Sequence, residues 1–214
     1  MAAASTKSLS ALRCAFIGGG NLTKAVAGGL ISSGFLDAEK VCISTPHPEN
    51  LKPWLRVHPG VATMSDNIQA AKSCDVVFLV VKPHILPSAL DGFTDMIDEP
   101  SKKLFVSLAA GVRIEALSKL VGQAARVIRV MPNTPAAVQQ CAAAISAGPT
   151  STIDDVAFVQ SAFESIGSAV VVPESSMDGT LAPPFMLRAA RHDYAFRSCH
   201  RYKWKWSGVC VFDD

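Results

Sequence analysis

The sequence lacks the features that mark membrane, secreted and nucleic-acid-binding proteins. No apolar run approaches the ~20 residues needed to cross a bilayer, and the N-terminal segment 1–12 has no apolar signal-peptide core. The formal net charge is only +2, so we expect no nucleic-acid partner and no membrane partner. Segment 1–12 matches a mitochondrial presequence only weakly. We therefore expect an N-terminal tail, and a cytoplasmic location in preference to a mitochondrial one.

Cysteine is present, but none of the six cysteines forms a C-x-x-C pair. Most of them lie in or beside apolar, strand-like runs: Cys14, Cys42, Cys74, Cys141, Cys199 and Cys210. This pattern predicts buried thiols in a reducing compartment rather than a disulfide framework or a zinc site. Four histidines show neither metal-ligand spacing nor a catalytic triad, so we predict no metal: His47, His58, His192 and His200.

The chain does contain a regular alternation of strand-like and helix-like runs from Cys14 to Pro173. We predict strands at CAFIG, KVCIST, DVVFLVV, KLFVSLA, ARVIRVM, CAAAISA and SAVVVP. We predict helices at NLTKAVAGGLISSG, ENLKPWLRVH, NIQAAKSC, HILPSALDGFTDMI, IEALSKLV and DDVAFVQSAFESIG. Continuously apolar strands are typical of parallel sheets that helices cover on both faces. The sequence thus predicts an α/β fold, a doubly wound parallel sheet (Rossmann-like) with right-handed crossovers.

A glycine-rich loop follows the first predicted strand. Gly18 and Gly20 occupy the first two positions of a G-x-G-x-x-G fingerprint, in which glycines allow a tight turn and let a pyrophosphate approach the backbone. The helix that begins near Leu22 would offer its N–H groups to the phosphates. The third position is Thr23, where we expect a β-branched side chain to crowd the helix slightly against the strand. The alternative is a glycine-rich turn that binds nothing.

The end of the second predicted strand carries hydroxyls and no carboxylate. NAD enzymes usually place Asp or Glu there to bind the ribose 2′-hydroxyl. This chain has Ser44 and Thr45 instead, with Lys52 downstream. Available hydroxyl donors and an absent carboxylate tolerate a 2′-phosphate, so NADP is favoured over NAD. The alternative is that Ser44, Thr45 and Pro46 simply end a strand.

Three further strands end in segments suited to a ligand crevice. VVKPH (residues 80–84) places one cation, Lys82, after the central strand, and SLAAG (107–111) supplies small residues. MPNTP (131–135) sets a rigid turn that presents Asn133 and Thr134. Each segment alone is more often a structural turn. Because doubly wound folds bind ligands at the carboxyl ends of their strands, the three together favour a ligand site.

The composition changes after Thr180. Segment 181–214 holds both tyrosines and two of the three tryptophans, and its six basic against three acidic residues give a net charge of +3. No helical or strand period is sustained there. Its KWKW run would also suit a nucleic acid or a membrane surface, but we expect an irregular or disordered tail.

Four motifs together resemble one known family. FIGGGNLTKAVAGGL, DVVFLVVKPH, SLAAGV and RVIRVMPNTPAAV, in this order and spacing, are similar to the N-terminal domain of pyrroline-5-carboxylate reductase. The resemblance implies an oxidoreductase of proline biosynthesis that transfers hydride from NAD(P)H to the C=N bond of 1-pyrroline-5-carboxylate, giving L-proline. It also implies these cofactor contacts: Ile17, Gly18, Gly19, Gly20, Asn21, Leu22, Thr45, Asn67, Val80, Val81, Lys82, Pro83, Leu108, Ala109 and Ala110.

The resemblance ends near Gly179. PESSMDG (173–179) is similar to the family's lead-in to a helical domain that binds the substrate carboxylate and forms the homodimer, but TLAPPFMLRAARHDYAF follows instead. We therefore expect an N-terminal tail (1–12), a dinucleotide-binding domain (13–179) and a divergent tail (180–214) from an alternative exon or a shifted reading frame. We assign no catalytic residue. The alternative function is a non-catalytic NADP-binding truncated product or a regulatory module.

Overall fold

The computed structural model describes residues 12–96, 102–133 and 140–177. They form one eight-stranded sheet in the order β3-β2-β1-β4-β5-β6-β7-β8. The strands are β1 Cys14–Ile17, β2 Val41–Ser44, β3 Ala62–Met64, β4 Val76–Leu79, β5 Leu104–Ser107, β6 Arg126–Pro132, β7 Cys141–Ala147 and β8 Gly167–Val171. All neighbouring strands are parallel except β6 and β7. The predicted doubly wound, Rossmann-like fold is confirmed.

Seven α-helices connect the described strands or follow them. They are α1 Asn21–Ser32, α2 Lys52–Val57, α3 Asn67–Lys72, α4 Leu86–Ala89, α5 Phe93–Met96, α6 Ile114–Val121 and α7 Ile153–Glu164, with 3-10 turns at Ala38–Lys40, Pro48–Leu51, Pro83–Ile85 and Glu174–Ser176. The start of α7 is set by a capping box, in which Thr152 and Asp155 bond each other's backbone N–H groups. None of the helices in the described ranges has the length and hydropathy that spanning a bilayer requires.

The sheet is buried on both faces, as its apolar strands predict. One face packs against α1 and α7, and its core contains the stacked rings of Phe16 and Phe78, whose centroids lie 4.5 Å apart. The other face packs against the helices from α3 to α6, and Phe105 lies at its centre. All four residues of β1, β2, β4 and β5 are buried. These central strands are thereby held rigidly, and their carboxyl ends form a fixed edge.

Sequence reasoning was wrong about three local features. The predicted helix HILPSALDGFTDMI is two short helices, α4 and α5, because Gly92 has a positive φ of 76° between them. The short β3 was missed because its three residues are partly or fully exposed and show no apolar run. β7 runs antiparallel to β6, since the connection 133–140 is shorter than the roughly dozen residues that a parallel crossover needs.

The predicted burial of the thiols is confirmed for the four cysteines in the described ranges. Cys14, Cys42, Cys74 and Cys141 are buried and unpaired. Burial raises the pKa of Cys42 to about 11 and that of Cys141 to about 12, and it also raises the pKa values of the other two thiols. The other two cysteines, Cys199 and Cys210, lie outside the described residues, as does the predicted tail 180–214.

Candidate functional site

The topology reverses direction between β1 and β4. From β1 the chain builds outward through β2 to β3, and it then returns to place β4 on the other side of β1. A crevice opens at such a switch point, outside the carboxyl ends of the strands, and ligands bind there in doubly wound folds. The strands from β2 to β6 in the sheet order are parallel, so the predicted segments that follow β1, β2, β4, β5 and β6 meet at this edge.

Gly18 forms a turn with a positive φ directly after β1. Its φ is +109°, which favours glycine, and a Cβ there would lie 2.8 Å from the carbonyl oxygen of Val80 and 2.9 Å from Cγ1 of Val81. Its N–H donates to the carbonyl of Ser44 at 2.8 Å. A Cβ on the next residue, Gly19, would lie 3.0 Å from Cβ of Thr45. The loop is therefore packed closely against the ends of β2 and β4.

Gly20 is different, because no atom of the described residues requires it to be small. Its φ of −76° is ordinary, and a Cβ at Gly20 would have no heavy atom of residues 12–96, 102–133 or 140–177 within 4 Å. It is the N-cap of α1 and gives no side-chain cap, and the first turn of α1 contains no acidic residue. The open space above Gly20 thus adjoins uncapped N–H groups, where an anionic phosphate is stabilised.

Thr23 makes a hydrogen bond that sequence reasoning missed. We expected its β-branched side chain only to crowd the helix. The side chain is fully buried, and its hydroxyl donates to the carbonyl oxygen of Gly18 at 2.6 Å. The first turn of α1 is therefore tied by this hydrogen bond to Gly18 of the loop. The sequence contained a signal for this hydrogen bond, since a hydroxyl five residues beyond a turn glycine can reach back to the carbonyl of that glycine.

The end of β2 differs from the prediction at Ser44. We expected the Ser44 hydroxyl to be available to a ligand, but it is fully buried and donates to Oδ1 of Asn67 at 2.6 Å. Asn67 Nδ2 in turn donates to the carbonyl of Ala89 at 3.0 Å. Thr45 is also buried, and its Oγ1 accepts from the N–H of His47 at 3.3 Å. The Ser44 hydroxyl therefore binds the side chain of Asn67 and is not directed to a ligand in the crevice.

The segments after β4 and β5 line the same edge. The N–H of Val80 donates to the carbonyl of Ile17 at 2.9 Å, which holds the end of β4 against that of β1. The predicted contacts here include partly buried Val80 and Val81, buried Leu108 and Ala109, and exposed Lys82, Pro83 and Ala110. The ammonium of Lys82 has no hydrogen-bond or ion-pair partner within 12–96, 102–133 or 140–177.

Asn133, after β6, has a structural use that we did not predict. Its Oδ1 accepts from the N–H of Ala142 at 2.9 Å, and its own N–H donates to the carbonyl of Ala142 at 3.1 Å. The side chain thus joins β6 to β7 instead of presenting its amide oxygen to the crevice. Thr134 and Pro135 of the same predicted segment lie outside the described residues.

A carboxylate near the end of the described chain was also missed. Oε1 of Glu174 accepts from the N–H of Ile114, the first residue of α6, at 2.7 Å, and it lies 3.3 Å from Nη1 of the buried Arg129. This pair holds the segment after β8 against α6 and β6. No local sequence pattern predicts these contacts, because Glu174 is 45 residues from Arg129 and 60 residues from Ile114.

Clusters of metal-ligating side chains are absent from the described residues. Searching the three described ranges yields no group of three His, Cys, Asp or Glu side chains that could hold a metal ion. The edge instead combines an open glycine, helix N–H groups and small or apolar residues. Doubly wound folds bind dinucleotides at an edge of this kind.

Comparison with known proteins gives a consistent set of relatives. A family model described as "NADP oxidoreductase coenzyme F420-dependent" matches residues 13–111. Pyrroline-5-carboxylate reductase 3 of Bos taurus is 36% identical over 166 residues, which are 78% of this chain and 53% of that protein. The chain spans about half the length of the curated relatives it matches.

Solved structures agree with this result. The structure of a pyrroline-5-carboxylate reductase from Coxiella burnetii superposes with a TM-score of 0.73 at 31% identity, covering 83% of this chain and 67% of that one. Plasmodium falciparum pyrroline carboxylate reductase, solved with NADP bound, gives a TM-score of 0.71 at 26% identity, with 80% and 61% covered.

Proposed function

This chain belongs to the pyrroline-5-carboxylate reductase family, and from that premise we propose that it binds a nicotinamide dinucleotide for the reduction of 1-pyrroline-5-carboxylate to L-proline. The relatives that it matches are named as reductases. The alternative of a non-catalytic NADP-binding product or regulatory module is therefore not favoured. The family resemblance predicted from the four motifs is confirmed.

The open space above Gly20 carries the cofactor proposal. A Cβ at Gly18 or Gly19 would meet protein atoms at 2.8–3.0 Å, whereas one at Gly20 would meet no atom of the described part of the chain within 4 Å. Packing against the described residues therefore gives no reason for glycine at this position. A pyrophosphate approaching the N-terminus of α1 supplies that reason.

The remaining cofactor contacts are those that the family resemblance implies. The dinucleotide would extend from the end of β2 across the loop after β1 to the ends of β4 and β5, which matches the family resemblance. Its contacts are then Ile17, Gly18, Gly19, Gly20, Asn21, Leu22, Thr45, Asn67, Val80, Val81, Lys82, Pro83, Leu108, Ala109 and Ala110. Because Leu108 and Ala109 are buried, they would offer mainly backbone and a small apolar surface.

We propose NADP as the preferred form of the cofactor. The last residues of β2 and those that follow it directly, Ser44, Thr45 and Pro46, include no carboxylate to accept from a ribose 2′-hydroxyl. The ammonium of Lys24 in α1 donates to the carbonyl of Asn50 in the segment after β2 at 3.2 Å. A positive charge thus lies beside this segment, which is favourable for a 2′-phosphate.

The bound cofactor would supply a hydride to the imine carbon while the imine nitrogen gains a proton, so that the substrate becomes proline. The described residues at the carboxyl edge would hold and orient the cofactor, which supplies the reducing chemistry. In this proposal, residues 13–179 form the dinucleotide-binding domain, and residues 1–12 and 180–214 are tails. We also propose that the protein is cytoplasmic. In the family, the helices that hold the substrate carboxylate and form the homodimer follow the counterpart of PESSMDG, and residues 180–214 do not resemble them.

A paired assay tests this function. NADPH and NADH are titrated into the 214-residue chain by fluorescence, and reduction of 1-pyrroline-5-carboxylate is then measured with a full-length relative as the reference. We expect saturable cofactor binding and a turnover far below the reference, because positioning of substrate accounts for ~7–11 kcal/mol of barrier reduction where it is fully realised. Failure of both cofactors to bind would overturn the proposal. Turnover equal to the reference would refute our interpretation of residues 180–214.

A further inference from the structure

In the two hydrogen bonds of the Asn67 side chain, the donor and the acceptor can be assigned from the groups involved. Asn67 Nδ2 lies 3.0 Å from the carbonyl oxygen of Ala89, which can only accept, so the amide nitrogen must face it. The amide oxygen then faces the Ser44 hydroxyl at 2.6 Å, and Ser44 must donate. Proton donation therefore runs from Ser44 to Asn67 and from Asn67 to Ala89. No other assignment of the amide satisfies both contacts.

This direction leaves Asn67 with an unsatisfied donor. A carboxamide has two N–H groups, and only one of them is used by Ala89. The amide oxygen already accepts a bond from a fully buried hydroxyl. Within the described part of the chain, the second N–H has no acceptor. Asn67 is only partly buried, so a ligand at the carboxyl edge can reach it.

We propose that Ser44 is a positioning residue: by holding the amide oxygen of Asn67, it makes Asn67 present an N–H donor to the oxygen at the 2′ position of the cofactor's adenosine ribose. This inference rests on the proposed cofactor binding, since the adenosine ribose lies at the end of the second strand in doubly wound folds. A 2′-phosphate is mostly a dianion at neutral pH and offers acceptor oxygens. Ser44 thereby contributes to a preference for NADP without touching the cofactor.

The acidic groups beside Asn67 are already engaged. Oδ1 of Asp66 accepts from the N–H groups of Ile68 and Gln69 at 2.9 and 3.0 Å and so caps α3. Glu49, in the segment after β2, lies 3.2 Å from Nδ1 of His47. Asp66 is the competing candidate, because its second oxygen could accept from a ribose 2′-hydroxyl. That role would favour NAD, so the experiment includes a variant of Asp66.

The test compares dissociation constants of NADPH and NADH for the full 214-residue chain. Ser44→Ala is expected to weaken NADPH binding about tenfold, as loss of one well-oriented bond to a charged group does. NADH binding should change by less than about threefold, because a 2′-hydroxyl gains less from the donor. Ser165→Ala is the matched control, since within the described residues its hydroxyl bonds only helix α7 and Ser33. It should leave both constants unchanged.

Two further variants separate positioning from general stability. In an Asn67→Ala background, Ser44→Ala should leave the NADPH-to-NADH ratio unchanged, because Ser44 acts only through Asn67. Asp66→Asn keeps a good N-cap and should also leave the ratio unchanged. A Ser44→Ala variant that weakens both cofactors equally would overturn the proposal, as would a loss of NADH binding in Asp66→Asn. If the unmodified chain binds neither cofactor, the proposed function fails as well.

Discussion

The carboxylate of Glu174 lies 3.3 Å from the guanidinium of Arg129, whose side chain is only 2% exposed. The same oxygen accepts from the N–H of Ile114 at 2.7 Å and so satisfies one donor of the uncapped N-terminus of α6. One side chain from the segment after β8 therefore compensates a buried charge on β6 and caps a helix. A single carboxylate with two such partners is a sensitive point of the fold.

We predict that Glu174→Ala lowers the free energy of unfolding by about 2 kcal/mol, because it leaves a buried cation and a helix N–H without this partner. Urea unfolding followed by circular dichroism measures the loss. Glu164→Ala is the control, since the one described partner of the Glu164 carboxylate is the amide of Gln160, in an exposed position. It should cost less than about 0.5 kcal/mol. Equal losses in the two variants would contradict the role assigned to Glu174.

The same substitution at Gly18 and at Gly20 should affect different properties: the stability at Gly18 and the cofactor affinity at Gly20. Gly18→Ala places a Cβ 2.8 Å from the carbonyl oxygen of Val80 at a φ of +109°, so we predict a loss of about 2 kcal/mol or more in stability. Gly20→Ala places its Cβ in open space, so stability should change by less than about 1 kcal/mol. Cofactor affinity should nevertheless fall at least about tenfold in Gly20→Ala, because the new methyl group occupies the space of the phosphate.

Thermal unfolding and NADPH titration of both glycine variants check this prediction. The informative result is a stable Gly20→Ala protein that no longer binds NADPH tightly. If Gly20→Ala binds NADPH as the unmodified chain does, the space above Gly20 is not the phosphate site. If Gly18→Ala is as stable as the unmodified chain, the close contact with Val80 does not constrain the loop.

The sequence predicted well those features that depend on local patterns. Apolar runs located the buried strands, and the glycine loop marked the edge at which they end. The Ser44–Asn67 and Arg129–Glu174 contacts could not be predicted, because they join residues 23 and 45 positions apart that only the finished sheet brings together. Parallel pairing was expected throughout, but loop length, not strand composition, decides that β7 is antiparallel to β6.

Thr23 offers a direct test of the hydrogen bond to Gly18. Thr23→Val keeps the shape of this fully buried side chain but leaves the carbonyl of Gly18 without its donor at 2.6 Å. We predict a loss of about 1–2 kcal/mol in the free energy of unfolding. Thr23→Ser keeps the hydroxyl and should retain more of the stability. Urea unfolding separates the two, and a valine variant as stable as the unmodified chain would show that the bond contributes nothing.

Alkaline pH should destabilise the protein through its buried thiols. Burial raises the pKa of Cys42 to about 11 and that of Cys141 to about 12, whereas both start from 9.0. Above pH 9 the unfolded chain therefore loses thiol protons that the folded chain retains, so the unfolded state binds fewer protons and stability falls as pH rises. Each thiol contributes a slope of up to about 1.4 kcal/mol per pH unit between pH 9 and its folded pKa.

Urea unfolding at pH 8, 9 and 10 measures this slope. Cys141→Val removes one titrating thiol from β7, so its stability should fall less steeply between pH 9 and 10 than that of the unmodified chain. The matched comparison is the double variant Cys199→Ser, Cys210→Ser, because it leaves the four buried thiols of the described residues in place. Its free energy of unfolding should fall as steeply with pH as that of the unmodified chain. Identical slopes in the valine variant and the unmodified chain would show that Cys141 ionises as readily in the folded state as in the unfolded one, contrary to its burial on β7.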